Sequence, residues 1–243
     1  MITENCKMGD TLFRVLNDFS GVTDVADEKQ KLAALSLQFA IIAKVVICGG
    51  CFEIDGKRRI YPLEVEFYYH EEEENGLKDP VMYHTDDHDG RKLEYFPLGS
   101  LNCHVSGIDI TFENKEKRYR ASFLIRKYKV CKYDGEMWQV DKECESRSTY
   151  IYEDMFMHIP LFNGINVKWI SEDSPHCNNK IIVNPRINVA EYEKIYEGKF
   201  VKVEITQEDY NKLSSNEKKE YFSYCGKRLK RCKRMWNYSI VNY

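Results

Sequence analysis

Apolar and polar positions alternate most sharply at 62–69, Pro-Leu-Glu-Val-Glu-Phe-Tyr-Tyr. This predicts a strand with Glu64, Glu66 and Tyr68 on one face and Leu63, Val65, Phe67 and Tyr69 on the other. Upstream the period lengthens. Over 26–47, Leu32, Leu35, Leu37, Ala40, Ile41, Ala43 and Val46 form an apolar stripe, Asp27 and Glu28 favour a helix N-terminus, and Gly49-Gly50 stops the helix. Asp55-Gly56 lies between the strand-like runs 51–54 and 57–60, a hairpin signal. Residues 70–92 are polar and acidic and read as a long loop. Apolar positions alternate again at Ile108, Ile110 and Phe112, with Asp109 on the other face. Gly107 just before them predicts a bulge, a bend or a close backbone approach. With the strand-like run 119–130 this segment predicts an antiparallel hairpin closed by the polar residues 113–117. Beyond 130 the pattern weakens. Residues 154–162 are apolar, 180–184 and 199–205 read as strands, and capping boxes at Asn188-x-x-Glu191 and Ser214-x-x-Glu217 predict short helices, the first ending at Gly198. With no repeat and no low-complexity linker, the reading is a single α+β domain over 1–243.

Composition narrows the class. Hydrophobic content of 43% supports a core, and the seventeen tyrosines suit a β-rich fold and offer stacking surfaces. A formal net charge of −3 argues against a general polyanion binder, but the charge is uneven. Residues 71–74 are consecutive glutamates. The stretch 218–234 gathers Lys218, Lys219, Lys227, Arg228, Lys230, Arg231, Lys233 and Arg234, which reads either as a phosphate-contacting segment or as a solvated helix face. No signal-peptide pattern and no apolar run approaching eighteen residues is visible, so no membrane is expected. Nine scattered cysteines, an odd number, fit a reducing cytoplasm better than a disulfide framework.

Carboxylates are rare in strands and costly to bury. Glu64 and Glu66 beside Tyr68 therefore predict either a solvated face or a site that needs a water-activating base. Cys48-Gly-Gly-Cys51 has dithiol spacing but follows a helix C-terminus, where the dipole raises rather than lowers a thiol pKa, so it reads as structural. His84, Asp86, Asp87, His88 and Asp89 are of metal-ligating type, but such runs are common on surfaces, and no metal is assigned. No phosphate loop, His-Glu-x-x-His helix or nucleophile elbow occurs, and no cofactor is assigned.

Three segments in order resemble the methylpurine (alkyladenine) DNA glycosylase superfamily, in a divergent branch. They are the strand Leu63-Glu64-Val65-Glu66-Phe67-Tyr68, then Asp79-Pro80-Val81-Met82-Tyr83-His84, then Gly99-Ser100-Leu101, Ser106-Gly107 and Leu124-Ile125-Arg126. The resemblance covers about 45–165 and leaves 166–243 unassigned. It implies a mixed, largely antiparallel curved sheet with flanking helices. It also implies base excision, in which a flipped nucleobase leaves by water attack at C1′. Glu66 would be the general base, with Arg126 orienting the water or a phosphate. Tyr68 and His84 would line the base pocket. A pocket-wall tyrosine of the family falls near Cys103 or His104, which makes His104 its replacement. Lys227, Arg228, Lys230 and Arg231 would contact nucleic acid, so the implied partner is DNA or a nucleobase or nucleoside ligand. The sequence departs from the pattern at Ser106, which stands where the family has an intercalating tyrosine and lacks an apolar wedge. The glutamates at 71–74 would repel a phosphate backbone. The alternative is a catalytically inactive relative that binds nucleic acid or a small ligand.

Overall fold

The computed structural model describes residues 11–79, 82, 93–104, 106–142, 148–156, 166–172, 178, 180–184, 186, 190–192, 195–196, 199–200, 229–231 and 234–241. In chain order the elements are α1 (Thr11–Asn17), α2 (Glu28–Cys48), β1 (Gly50–Ile54), β2 (Arg58–Glu71), β3 (Leu101–His104), β4 (Gly107–Thr111), β5 (Tyr119–Tyr133) and β6 (Trp138–Lys142). A 3₁₀ turn (Ser148–Tyr150) leads into α3 (Ile151–Phe156), β7 (Val167–Ser171) and β8 (Ile181–Asn184). The last elements are β9 (Ala190–Tyr192), β10 (Ile195–Tyr196), β11 (Lys199–Phe200), β12 (Leu229–Arg231) and β13 (Asn237–Ile240). Their contacts divide the chain into two units, Met1–Asn184 with Trp236–Tyr243, and Pro185–Met235. The single domain read from the sequence does not anticipate this division.

Local signals explain the start of the first unit. Asp27 Oδ1 accepts from the Gln30 N–H at 2.8 Å and caps α2, and the Gly49 N–H closes its end on Val45 O. Leu35, Phe39, Ile42, Ala43, Val46 and Ile47 are its buried stripe. By length and composition α2 is also apolar enough to cross a membrane, which the sequence reading does not credit. Asp55 and Gly56, with φ of 50° and 66°, form the tight turn between β1 and β2, and the Lys57 N–H bonds to Ile54 O at 3.0 Å. Both strands outrun their predicted ends: β2 extends to Glu71 and β5 to Tyr133.

Helices and one large curved antiparallel sheet make the unit α+β. Every described strand pairing is antiparallel, so the sheet is not mixed. The long β2–β5 ribbon is its spine, and the sheet forks along it. On one edge β2 pairs with β1 and then with β13; on the other, β5 pairs with β4 and then with β6.

At the fork the register runs from Pro62↔Tyr128 to Glu64↔Lys127 to Val65↔Ile125, stepping over Leu63 on β2 and Arg126 on β5. Each strand thus carries one extra residue, and the alternation changes phase on both together. Core positions are even-numbered on one side (Ile60, Tyr128, Val130) and odd-numbered on the other (Val65, Phe67, Tyr69, Ile125, Phe123). The apolar face packs on α2 through Phe39, which stacks on Phe67 with ring centroids 4.5 Å apart.

In the second unit β9 pairs with β12 and β10 with β11. The helix predicted from Asn188-x-x-Glu191 is instead the strand β9, because pairing with a distant strand overrides a local capping signal. Of the predicted strand 199–205, β11 accounts for 199–200. The rest of that strand, Gly198 and the Ser214 box lie outside the described residues.

Candidate functional site

Glu66 is fully buried and Glu64 is 3% exposed, so the solvated-face reading fails for both. Two buried carboxylates need compensation. The Glu66 Oε1 atom lies 2.5 Å from Arg126 Nη2 and accepts from the Tyr68 hydroxyl at 2.5 Å, and Arg126 Nη2 also donates to Tyr68 Oη at 3.2 Å. Glu64 accepts from Asn237 Nδ2 at 2.8 Å and pairs with Lys127 Nζ at 2.9 Å; the same amide reaches Glu66 Oε2 at 3.5 Å. Burial, then the Glu66 charge, push the Tyr68 hydroxyl well above its ordinary pKa, so it keeps its proton and donates. Burial works against charge on Arg126, but Tyr68 and Glu66 outweigh it and hold the guanidinium protonated above its usual value. The residue that β5 carries as an extra at the fork is thus the one that neutralises Glu66.

Across the sheet, the register aligns Asn184, Asn237, Glu66, Leu124, Asp109 and Asn102 in one row over β8, β13, β2, β5, β4 and β3. Directly opposed residues share a face, so this row belongs to the face away from α2. Asp109 is 2% exposed. Its Oδ1 lies 3.2 Å from His104 Nε2, and its Oδ2 accepts from Ser122 Oγ at 3.4 Å. The Ser106 N–H donates to His104 Nδ1 at 3.2 Å. Gly107, with φ of 139°, lets β4 start against Leu124. A Cβ there would lie 2.9 Å from Leu124 Cδ1 and 3.0 Å from Ser148 O. Tyr152 holds the same turn through its hydroxyl, which bonds to Gly107 O at 2.7 Å and also to His104 O. Tyr68, Leu124 and Met82 pack together, and Leu124 lies between Glu66 and Asp109 in the row.

A second polar cluster occupies the other side of the fork. Glu172 accepts from Tyr61 Oη at 2.6 Å and from Arg59 Nη1 at 3.1 Å, and Arg59 Nε donates to Glu53 at 3.0 Å while stacking on Trp138. The Cys51 thiol donates to Glu172 at 3.5 Å, and burial, followed by the Glu172 charge, pushes its pKa up to about 12. That is the opposite of a reactive dithiol, as the position after a helix C-terminus predicts.

Half of the acidic run is consumed inside the fold, and a third glutamate is paired at the surface. Glu71 is buried against Lys31 Nζ at 2.5 Å, Glu72 pairs with the buried Arg120 at 2.7 Å, and Glu73 pairs with Arg118 at 2.7 Å. The expectation of four repelling surface charges is corrected to two exposed glutamates, Glu73 and Glu74, the first of them paired.

Of the residues named from the sequence, Glu66, Tyr68 and Arg126 meet within hydrogen-bonding distance, and His104 lies on the same face, next to Asp109. His84, the rest of the 84–89 run, Lys227 and Arg228 lie outside the described residues. Lys230 and Arg231 are in β12, paired with Glu191 and Ala190 of β9. No group of three metal-ligating side chains occurs among the described residues. Asn237, Ser122 and Met82 escaped the sequence reading. For Asn237 the available signal was the Trp236-Asn237-Tyr238 alternation, a polar residue between two aromatics in strand period.

No family model matches the chain, no curated protein matches it, and no solved structure matches its fold.

Proposed function

We propose that the Glu66 cluster is the catalytic centre of a hydrolase that cleaves an N-glycosidic bond and releases a nucleobase. One observation carries the reading. Glu66, Tyr68 and Arg126, drawn from two strands, form a single buried hydrogen-bonded group. Folding gains little from such a group, since a well-packed apolar replacement is often as stable. In the reaction Glu66 takes a proton from water as the water oxygen bonds to C1′. The C1′–N bond breaks with its electron pair going to the base, which is protonated from solvent. The Glu66 carboxylate also stabilises the positive charge that develops on the sugar. Arg126 orients the carboxylate, and Tyr68, kept protonated, holds its geometry and offers a ring to the base. Base excision from DNA is the process this chemistry serves.

A second reading, a relative that binds nucleic acid or a small ligand without catalysis, is favoured by the complete burial of Glu66 and by Ser106 in the place of an apolar wedge. The test is incubation with single- and double-stranded oligonucleotides containing hypoxanthine or an alkylpurine. The hydrolase reading expects abasic product from the wild type and its loss in Glu66→Gln. Equal product from both proteins, or none from either, removes it. Gel-shift titration over a salt series then decides whether nucleic acid is bound at all.

A further inference from the structure

Asp109 is a buried carboxylate that the reaction above leaves without a task. Among the described residues no lysine or arginine pairs with it. Its neighbours are the His104 imidazole, with Nε2 3.2 Å from Oδ1, and a serine hydroxyl at 3.4 Å. A buried anion held this way is costly to the fold. A carboxylate has about four acceptor sites, so His104 and Ser122 leave capacity for a ligand. Being acceptor-only when ionised, it demands N–H donors from that ligand.

Its position says which ligand. Glu66 and Asp109 face Leu124 from either side in the same row, so their Cα atoms are about 10 Å apart, two inter-strand spacings. The side chain between them is apolar, Leu124, and it packs with Tyr68 and Met82. A purine laid on this side chain, its glycosidic nitrogen toward Glu66, spans less than that distance and leaves room for a water at C1′. Its Watson–Crick edge then points at Asp109. Met82, a flexible thioether chain, is the side chain the ring would displace.

We propose that Asp109 is the specificity residue of this site and selects purines that carry a proton on ring N1, hypoxanthine and guanine, over adenine, whose 6-amino donor stands beside an N1 acceptor. Hypoxanthine and guanine present a ring N1–H, and guanine adds an amino group, so a carboxylate is matched. Adenine sets an N1 acceptor against it, and like lone pairs repel. His104 and Ser122 fix the carboxylate's orientation. The inference rests on the catalytic reading of Glu66 only for the placement of the sugar, so base binding tests it separately from turnover.

The experiment is calorimetric or NMR titration of the full chain with hypoxanthine and with adenine as free bases, in the wild type, Glu66→Gln and Asp109→Asn. Wild type and Glu66→Gln are expected to bind hypoxanthine about tenfold or more tighter than adenine. In Asp109→Asn the amide supplies a donor beside an acceptor, and the preference is expected to shift toward adenine by about tenfold or more. A ranking unchanged by Asp109→Asn, or no binding of either base, overturns the proposal. The predicted ranking and its shift, found in a protein with no hydrolytic activity, would sustain Asp109 as the reader and remove only the catalytic role of Glu66. Because Asp109→Asn could perturb the β3–β4 turn, 1-methylhypoxanthine, which lacks the N1 proton, serves as a second probe on the wild type. It is expected to bind about tenfold or more weaker than hypoxanthine, and equal binding of the two overturns the proposal.

Discussion

Replacing Arg126 with Met tests the buried ion pair most directly. Arg126 side chain exposure is 13% and that of Glu66 is 0%, with 2.5 Å between their charged atoms. At that distance and an effective dielectric of about 20, the Coulomb attraction is about 6–7 kcal/mol, but desolvation of both ions offsets most of it. Removing one partner is a different matter, since it strands the other charge in the interior at about 3–5 kcal/mol. Tyr68 and Asn237 still donate to Glu66, so the lower end, about 3 kcal/mol, is expected. For a unit of this size that lowers Tm by about 6–12 °C. The assay is urea and thermal unfolding of wild type, Arg126→Met, Glu66→Gln and the double variant. The double variant removes both charges and is expected to recover more than 1 kcal/mol relative to the sum of the singles, about the scale of coupling for residues in contact. Strict additivity, or a loss under about 1 kcal/mol in Arg126→Met, would refute the claim that Arg126 exists to neutralise Glu66.

Three further outcomes follow from the same structure. Gly107→Ala meets both a positive φ and two contacts near 3 Å, so a loss of about 1–3 kcal/mol is expected in urea unfolding. The Cys51 thiol should resist iodoacetamide at pH 8 in the folded protein and label only on unfolding, as mass spectrometry of the labelled peptides would report. Its folded pKa of about 12 lies above the ordinary value of 9.0, so folding favours the protonated form. That stabilisation is complete below about pH 9 and is lost as pH rises toward 12, and unfolding free energies measured from pH 7 to 11 should decline over that window.

The strand that carries Glu66 was legible because its alternation needs only neighbours in sequence, and its burial cost was legible because carboxylates so rarely sit in strands. The Asp55-Gly56 turn and the Asp27 cap were legible for the same local reason. What stayed hidden was non-local. Asn237 lies 171 residues from Glu66 and reaches it only because the chain returns to the sheet after the second unit. The glutamates at 71–74 looked like one surface patch, yet Lys31 from α2 and Arg118 and Arg120 at the N-terminal end of β5 claim three of them. The Asn188 capping box pointed to a helix where the described residues 190–192 form a strand, since a favourable local end cannot compete with a sheet partner nearly forty residues away. Asp109 was placed on the correct face, but only the strand register showed that it shares a row with Glu66.

The doubled irregularity at the centre of the spine couples two distant stretches of sequence. Excising Leu63 alone would leave β2 alternating regularly and Arg126 unmatched on β5, so the bend would rest on one strand. Excising Arg126 alone would do the same from the other strand. Only a matched pair of excisions would remove the irregularity from both strands, and it would discard the cation along with the kink. Any descendant of this protein that straightens its spine must therefore find another counter-ion for Glu66 or give up the acid.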